Sequence, residues 1–350
     1  MGGHAKSCGV PRDGGVFTMN RQVAVPAVLC FFVLLVSTPS VQAGSEVGTW
    51  RTAVPAPTKR TEVAAATLGN KIYVVGGFEE PGLSTILNFG ISPKVESYDP
   101  ATDQWVTKAP LPVGLHHAGI GVVGGKLYVI GGYTQSGLST WSPVATVYAY
   151  DQATDGWSER APMPTARGAL SVTEYDGKLY AIGGYDRKTN NAAVEVYDPV
   201  ANAWTIRAPL PTPRDHLATA TASGKLYAIG GRVNGDYGRN LAVTERYNPA
   251  TDRWMRVADL PTARSGITAA VVDGTIYVFG GEGAKGTFHE NEAYDPAHDA
   301  WRSMAPMPTA RHGLGSAVVQ RQIHVLSGGP TPGGSFSDLN EVFTPPALSP

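Results

Sequence analysis

The chain has 350 residues, among them 42 glycines and 27 prolines, and a formal net charge of −1. This charge excludes the strong basic field expected of a protein that binds nucleic acid or an anionic membrane. Frequent glycine and proline, without long charged or low-complexity tracts, favour many short strands joined by turns. Apolar stripes with a helical period are absent after the N-terminal segment, so we expect almost no helix.

The first 43 residues have the organisation of a secretory signal peptide. Arg21 precedes an apolar run over residues 23–36, and small and polar residues then lead to Ala43. The run is too short to span a bilayer comfortably. We therefore predict cleavage after Ala43, with Met19 as an alternative start, and a secreted or periplasmic protein. An uncleaved membrane anchor is the alternative.

Both cysteines, Cys8 and Cys30, lie within this segment. The predicted mature chain, residues 44–350, therefore contains no thiol. This excludes disulfides, cysteine-ligated metals and cysteine nucleophiles. A chain of about 300 residues can be held together by core burial alone.

Residues 46–345 contain six copies of one pattern, in which an alternating apolar run ends in a glycine doublet. In the fourth copy, Lys225–Ile229 leads to Gly230 and Gly231. The other doublets are Gly76-Gly77, Gly131-Gly132, Gly183-Gly184, Gly280-Gly281 and the degenerate Ser327-Gly328. A tyrosine and, seven positions later, a tryptophan follow in five copies, at Tyr98/Trp105, Tyr150/Trp157, Tyr197/Trp204, Tyr247/Trp254 and Tyr294/Trp301.

Turn chemistry divides each copy into four strands, a to d. Asp176-Gly177 and Asp273-Gly274 supply the positive φ that tight a–b hairpins need. Asp99 to Asp103 and its equivalents form the c–d turn. Each copy is therefore predicted to be one antiparallel sheet, and the second glycine of each doublet to leave room for a neighbouring sheet.

The sequence Tyr-x-x-Gly-Gly, a later Glu-x-Tyr-Asp and a tryptophan seven residues after that tyrosine resemble the kelch repeat. Six co-spaced copies make the resemblance specific. It implies an all-β, six-bladed β-propeller, in which blades stacked around an axis bury both faces of each sheet. The predicted single domain, residues 44–350, has its blades at 60–112, 113–164, 165–211, 212–261, 262–308, and 309–345 together with 46–54.

The two chain ends are predicted to share the sixth blade. Phe343 stands at the strand-c tyrosine position, but the chain ends seven residues later at Pro350. Trp50 has no preceding tyrosine, yet it stands ten residues before Arg60, the same step that separates the tryptophan of each Tyr/Trp pair from the next arginine position. Residues around Trp50 should therefore form strand d beside C-terminal strands a–c. Deletion of residues 44–58 would then open a blade edge and cause aggregation.

A binding face is predicted where the b–c and d–a connections emerge together. Variation in repeat length is confined to the b–c loops, and insertions on one side often mark a binding face. The longest loops, residues 78–94, 133–145 and 232–242, carry the rings of Phe78, Phe89, Tyr133, Trp141 and Tyr237, and the last four are candidate ligand contacts. The alternative for each ring is packing within its own loop.

An arginine begins the innermost strand in five copies, at Arg60, Arg167, Arg214, Arg264 and Arg311; the second copy has Leu115. A ring of guanidinium groups would suit carboxylates or other planar anions. The alternative is structural: bonds to carbonyls, or pairing with a glutamate of the adjacent blade. The glutamates are two residues before the strand-c aromatic, at Glu96, Glu195, Glu245, Glu292 and Glu341.

Residues that do not repeat are the other candidates near the channel mouth. His116 and His312 are candidate binding residues. Metal candidates are Glu62, His116, His117, Asp215, His216 and His312. No spacing motif for a metal or a catalytic site is present, so no metal, cofactor or catalytic residue is predicted.

The predicted function is a secreted or periplasmic, non-catalytic module that binds a protein or glycan on the b–c/d–a face, with an anionic ligand as one option. We expect no nucleic-acid partner, no stable membrane insertion after signal cleavage, and a monomer. The alternative is a sugar-active enzyme, resembling the sialic-acid mutarotases with kelch propellers or assisted by a metal. Galactose-oxidase-like copper chemistry is disfavoured because the family needs a cysteine crosslinked to a tyrosine.

Overall fold

A computed structural model describes residues 18–19, 46–80, 82 and 90–347. The chain divides into two units, Met1–Ala43 and Gly44–Pro350, and the fold below is that of the second. The predicted signal peptide lies almost entirely outside the described residues and stays a prediction. Within the described part of the chain, no helix is long and apolar enough to cross a membrane.

Six four-stranded antiparallel sheets form the blades of a β-propeller. Strands a to d are Ala64–Leu68, Lys71–Val75, Val95–Asp99 and Gln104–Lys108 in blade 1; Gly119–Val123, Lys126–Ile130, Val147–Asp151 and Gly156–Glu159 in blade 2; Ser171–Tyr175, Lys178–Ile182, Val194–Asp198 and Ala203–Ile206 in blade 3. They are Ala218–Ala222, Lys225–Ile229, Thr244–Asn248 and Arg253–Arg256 in blade 4; Thr268–Val272, Thr275–Phe279, Asn291–Asp295 and Ala300–Ser303 in blade 5; Gly315–Val319, Gln322–Leu326, Asn340–Thr344 and Thr49–Thr52 in blade 6.

Short two-stranded ribbons extend from one end of four blades. They pair Arg60–Thr61 with Phe78–Glu79, Tyr133–Ser136 with Ser139–Pro143, Arg232–Val233 with Asp236–Asn240, and Glu282–Gly283 with Gly286–Thr287. Each ribbon lies in or against a b–c loop, and the d–a connections reach the same end. The long loops and the starts of the innermost strands therefore meet on one rim.

Blade stacking explains the burial along the strands. In every blade the last four residues of strand b are buried, whereas strand d is mostly exposed. A strand that is buried on both faces needs a neighbouring layer on each side, which only stacked blades provide.

The N-terminal strand closes the ring, as the sequence predicts. Thr49–Thr52 pairs with Asn340–Thr344, and Trp50 lies opposite Phe343 in the register that Trp105 has with Tyr98. Trp50 Nε1 donates to the carbonyl of Ala305 at 2.9 Å. The other five strand-d tryptophans make the same bond to the preceding blade. The sixth blade is thus joined to the fifth by the same tryptophan hydrogen bond that joins the other neighbouring blades.

The glycine doublets join neighbouring blades, but not as the sequence analysis expects. A Cβ on the first glycine, Gly230, would lie 2.8 Å from the carbonyl oxygen of Arg264 in the next blade. A Cβ on the second, Gly231, would instead meet Asp215 O in its own blade, at 2.7 Å. Close approach to the neighbour therefore requires the first glycine. The second donates its N–H to the Arg264 carbonyl at 3.0 Å.

Candidate functional site

The five repeated arginines are buried inside the blades rather than exposed at the channel mouth. Arg60, Arg167, Arg214, Arg264 and Arg311 are all 0% exposed. Each guanidinium pairs with the strand-c glutamate of its own blade, Glu96, Glu195, Glu245, Glu292 or Glu341. Each also donates to backbone carbonyls of strand b or its end. This geometry matches the structural alternative, with the correction that the glutamate belongs to the same blade.

Blade 2 lacks both members of this pair. Leu115 replaces the arginine, Tyr148 stands at the glutamate position, and the two lie in the same apolar cluster. An apolar pair can replace a buried ion pair without loss of stability. The paired substitution supports an architectural role for the arginines.

A ring of backbone hydrogen bonds encircles the axis two residues after the arginine position. The bonds run from one blade to the next through Glu62, His117, Ala169, His216, Gly266 and Gly313, and Val63 closes the ring on Gly313. The N···O distances lie between 2.9 and 3.3 Å. The ring therefore fixes the backbone of six residues, one from each blade, around the channel mouth.

Three ionisable residues occupy ring positions in a strained backbone conformation. Glu62, His117 and His216 have φ of 54°, 54° and 53°, where a Cβ is disfavoured. The equivalent position of blade 3 is Ala169, at φ 53°, and those of blades 5 and 6 are glycine. Non-glycine residues held in this region cost of order 1–3 kcal/mol each and concentrate at functional sites. All six ring positions share this conformation, so the ionisable side chains of Glu62, His117 and His216, rather than the strain, distinguish them from the others.

All six blades contribute to a pocket of about 520 Å³ above this ring. It is lined by Thr61, Glu62, Phe78, His117, Trp141, Arg187, Arg232, Gly235, Tyr237, Glu282, Gly333, Gly334 and Phe336. A concave site of this size, with aromatic walls and a few convergent polar groups, is typical of ligand-binding sites.

One half of the pocket floor is a chain of hydrogen bonds from Thr140 to Glu62. His116 Nε2 lies 2.7 Å from the Thr140 carbonyl, which can only accept, so this nitrogen carries the proton. His116 Nδ1 then accepts from His117 Nδ1 at 2.6 Å. His117 Nε2 is left as an acceptor, 3.1 Å from Glu62 Oε2.

Burial keeps the groups of this chain uncharged. Burial, with a smaller contribution from Glu282, raises the pKa of Glu62 to about 8, against the opposing effect of Arg232. Burial also lowers the pKa of His116 to about 3 and holds the pKa of His117 well below its ordinary value. At neutral pH the protonated Glu62 carboxyl can thus donate to His117 Nε2.

The other half of the floor is organised around Arg232. Its Nη1 lies 2.5 Å from Glu282 Oε1, and its Nη2 donates to His216 Nε2 at 2.6 Å. His216 Nδ1 therefore carries the proton and donates to Asp215 Oδ1 at 2.5 Å. His312 Nε2 lies 3.3 Å from Glu282 Oε2 and 3.0 Å from the Gly333 carbonyl.

Opposing effects set the charges in this half. Burial, more than the nearby Arg232, lowers the pKa of His216. Burial also lowers the pKa of His312 to about 4. For Glu282, burial would raise the pKa, but His312 and Arg232 outweigh it and the pKa is lowered. The floor at neutral pH therefore combines neutral imidazoles with an Arg232–Glu282 ion pair.

Aromatic rings form the walls. Phe78 lies against His116, with ring centroids 3.9 Å apart, and Trp141 packs 5.1 Å from His117. The Arg187 guanidinium lies over Trp141 at 5.0 Å. Among the described residues, no carboxylate pairs with Arg187, so it presents an uncompensated positive charge to the pocket.

The structure brings together many of the residues predicted from sequence. His117, Trp141, Tyr237 and Glu62 line the pocket, whereas His116, Asp215, His216 and His312 lie behind or beneath it. Tyr133 is 1% exposed and donates its hydroxyl proton to the Tyr185 carbonyl, which matches packing within the loops rather than ligand contact. Phe89 lies outside the described residues.

Arg232, Glu282, Arg187 and Phe336 are site residues that the sequence analysis did not single out. Arg232 and Glu282 directly follow glycine doublets, at a position that pairs with the residue after the arginine, as in Asp215↔Arg232 and Ser265↔Glu282. That position is aromatic in the first three blades, so a charged residue there could have been recognised. Arg187 and Phe336 lie in irregular loops and carry no periodic signal.

These features define a class of protein: a closed six-bladed β-propeller with a ligand-sized pocket, walled by aromatic rings and floored by polar groups, at one channel mouth. A family model for the KLHDC2/KLHL20/DRC7 Kelch-repeats domain matches residues 101–259 and 206–344, and a model of the Kelch motif matches residues 59–112. The chain belongs to the kelch-repeat family, whose propellers typically serve as protein-interaction modules.

Two kelch proteins are similar in sequence to parts of the propeller. Kelch-like protein terF of Aspergillus terreus is 34% identical over 127 residues, which are 36% of this chain and 27% of that protein. Human Kelch repeat and BTB domain-containing protein 12 is 31% identical over 152 residues, 39% of this chain and 23% of the relative. The chain spans less than a third of the length of either relative.

A solved structure titled "Structure of YjhT" has a similar fold. It superposes with a TM-score of 0.70 over 83% of this chain and 96% of its own, at 16% sequence identity. At this identity the similarity shows the fold alone.

Proposed function

We propose that this kelch propeller is a non-catalytic binding module that holds an anionic group of a protein or carbohydrate ligand in the channel-mouth pocket. One observation supports it above the others: all six blades converge on a pocket of about 520 Å³ with the unpaired Arg187 at its wall. Aromatic faces beside a guanidinium suit a sugar ring or peptide group that bears a carboxylate.

The ligand would be held by two kinds of contact. Arg187 would supply a charge-assisted hydrogen bond, already oriented by its stacking on Trp141. Tyr237, which is 40% exposed, and Trp141 would supply apolar contact. The five arginines buried in the blades are not part of this proposal, because a ligand cannot reach them.

The test is a binding screen of the purified full chain against neutral and acidic glycans and against acidic and neutral peptides. Arg187→Ala should weaken an acidic ligand by about tenfold to a hundredfold, the range for a hydrogen bond to a charged group. Trp141→Ala should weaken acidic and neutral ligands alike. Arg253→Ala is the matched control, since Arg253 is an exposed arginine on strand d of blade 4.

An acidic ligand that binds Arg187→Ala and Trp141→Ala as tightly as the unaltered chain would overturn the proposal. The secreted or periplasmic location predicted from residues 1–43 belongs to the same proposal. Recovery of the protein, cleaved after Ala43, from culture medium or periplasmic extract would support it.

Sugar-active catalysis is the second candidate, favoured by the contact between a carboxyl and an imidazole on the pocket floor. Glu62 Oε2 and His117 Nε2 are 3.1 Å apart and positioned below the space for a ligand. Groups of these types can exchange protons with a sugar hydroxyl. Accelerated interconversion of sugar anomers, measured by NMR and lost in Glu62→Gln, would favour an enzyme over a binding module.

A further inference from the structure

Two imidazoles and a carboxyl from three different blades converge at the channel mouth. The candidate ligand atoms of Glu62, His117 and His216 all lie within 4.8 Å of one another. Each residue occupies a position of the backbone ring, which fixes the three Cα atoms around the axis. We propose that Glu62, His117 and His216 form a binding site for a divalent transition-metal ion such as Zn²⁺.

The hydrogen bonds of the two histidines leave the correct nitrogens free of protons. His216 Nδ1 donates to Asp215 and His117 Nδ1 donates to His116, so Nε2 of each ring has an available lone pair. Metal-bound histidines usually donate their other N–H to a carboxylate or a similar acceptor, which fixes the ring. Here both second partners are present before a metal binds.

The charges of the floor favour a cation. The carboxylates of Asp215 and Glu282 share the single guanidinium of Arg232, which leaves an excess of one negative charge near the Glu62 carboxyl. Two imidazole nitrogens and one carboxylate oxygen are donors that suit Zn²⁺, Mn²⁺ or Fe²⁺ and leave coordination positions for water or ligand. The pocket above the ring supplies the route of entry.

Arg232 competes with a metal for one of these donors. Its Nη2 lies 2.6 Å from His216 Nε2, where the ion would bind. The arginine retains Glu282 and Asp215 as partners if it releases His216. Metal binding therefore displaces this hydrogen bond together with the Glu62 proton that faces His117 Nε2, and removal of Arg232 should strengthen it.

A second group, Glu62, Glu282 and His312, also has its candidate ligand atoms within 4.8 Å of one another. It is less suitable, because His312 Nε2 donates to the Gly333 carbonyl and Glu282 is held by Arg232. This group therefore serves as the internal comparison for the site at His117 and His216.

The test is titration of the chelator-treated full chain with ZnCl2, and separately with MnCl2, by isothermal calorimetry, followed by metal analysis after gel filtration. We expect one ion per chain. His117→Ala and His216→Ala should each weaken binding by more than a hundredfold, and Asp215→Asn by about tenfold to a hundredfold. Arg232→Gln should bind more tightly than the unaltered chain, whereas His312→Gln and the exposed His298→Ala should bind equally well.

Circular dichroism and the urea midpoint establish that each variant folds. If His117→Ala does not fold, the near-isosteric Glu62→Gln replaces it, with the same expected loss of binding. Failure of both the unaltered chain and Arg232→Gln to retain metal would overturn the proposal, as would binding that persists in His216→Ala. The experiment uses metal alone, so its outcome is independent of the ligand proposed above.

Discussion

Replacement of Arg214 by methionine tests whether the repeated arginines support the blades. The guanidinium donates to the carbonyls of Gly230, Thr212 and Ala228 at 2.7 to 2.8 Å, and to Glu245 Oε2 at 2.6 Å. It is 0% exposed, and its burial lowers the pKa of Arg214 from the ordinary value. The substitution would leave three carbonyls with one donor fewer and Glu245 without its cation.

The expected loss in the free energy of unfolding is about 3–5 kcal/mol, the usual cost of removing one member of a buried ion pair. Urea unfolding followed by tryptophan fluorescence measures it. The double variant Arg214→Met/Glu245→Leu removes both charges and should lose less than the two single variants together, with a coupling energy of about 1–3 kcal/mol. Blade 2, with Leu115 and Tyr148 at these positions, shows that an apolar pair is accommodated.

Arg256→Met is the matched control, because Arg256 forms an exposed ion pair with Asp259 and should leave the urea midpoint essentially unchanged. If Arg214→Met is as stable as the control, the buried pair does not hold the blade together. If it folds normally but loses ligand affinity, the original prediction of a ligand-binding arginine ring regains support.

Three further predictions concern the scaffold. Trp50→Ala should lower the free energy of unfolding in urea by on the order of 3 kcal/mol, as much as Trp204→Ala, because both tryptophans donate to the preceding blade. A negligible loss at Trp50 would refute the role of the N-terminal strand in closing the ring. Gly230→Ala should destabilise far more than Gly224→Ala, since both have positive φ but a Cβ meets neighbouring atoms only at Gly230. Burial lowers the pKa of His324, so below about pH 6.5 the unfolded chain binds a proton that the folded chain does not, and stability should fall as the pH drops through this range. His324 contributes up to about 1.4 kcal/mol per pH unit to this slope, in addition to the other buried histidines, so the slope should be shallower in His324→Phe.

The sequence predicts the fold because the same strand and turn pattern recurs in six copies. Spacing alone places Trp50 opposite Phe343, since the step from tryptophan to arginine is shared by all copies. It also predicts the rim on which the long loops meet, because only the b–c loops vary in length. The burial of a side chain is harder to predict from the sequence. An arginine at the start of a strand, such as Arg167, has the same sequence pattern whether it faces the channel or a glutamate of its own blade.

Only some residues of the candidate site can be predicted from the sequence. His117 and His216 stand out because they depart from the repeat beside a constant position. Arg232 and Glu282 follow doublets of different blades, and their convergence depends on β-bridges between the strand-a start and the residue after the doublet. Arg187 reaches the pocket through an irregular loop. Such contacts follow from tertiary geometry and have no counterpart in sequence spacing.

The division between repeated and non-repeated residues has a physical basis. Residues present in nearly every blade, such as the tryptophans, the arginine–glutamate pairs and the doublets, satisfy backbone groups that each blade shares. The ring positions make their inter-blade bonds through the backbone alone, so Glu62, His117 and His216 can differ from Ala169 or Gly266 without altering the ring. Side-chain chemistry at the channel mouth is therefore uncoupled from the contacts that hold the propeller together, and the departures from the repeat are where function is to be sought.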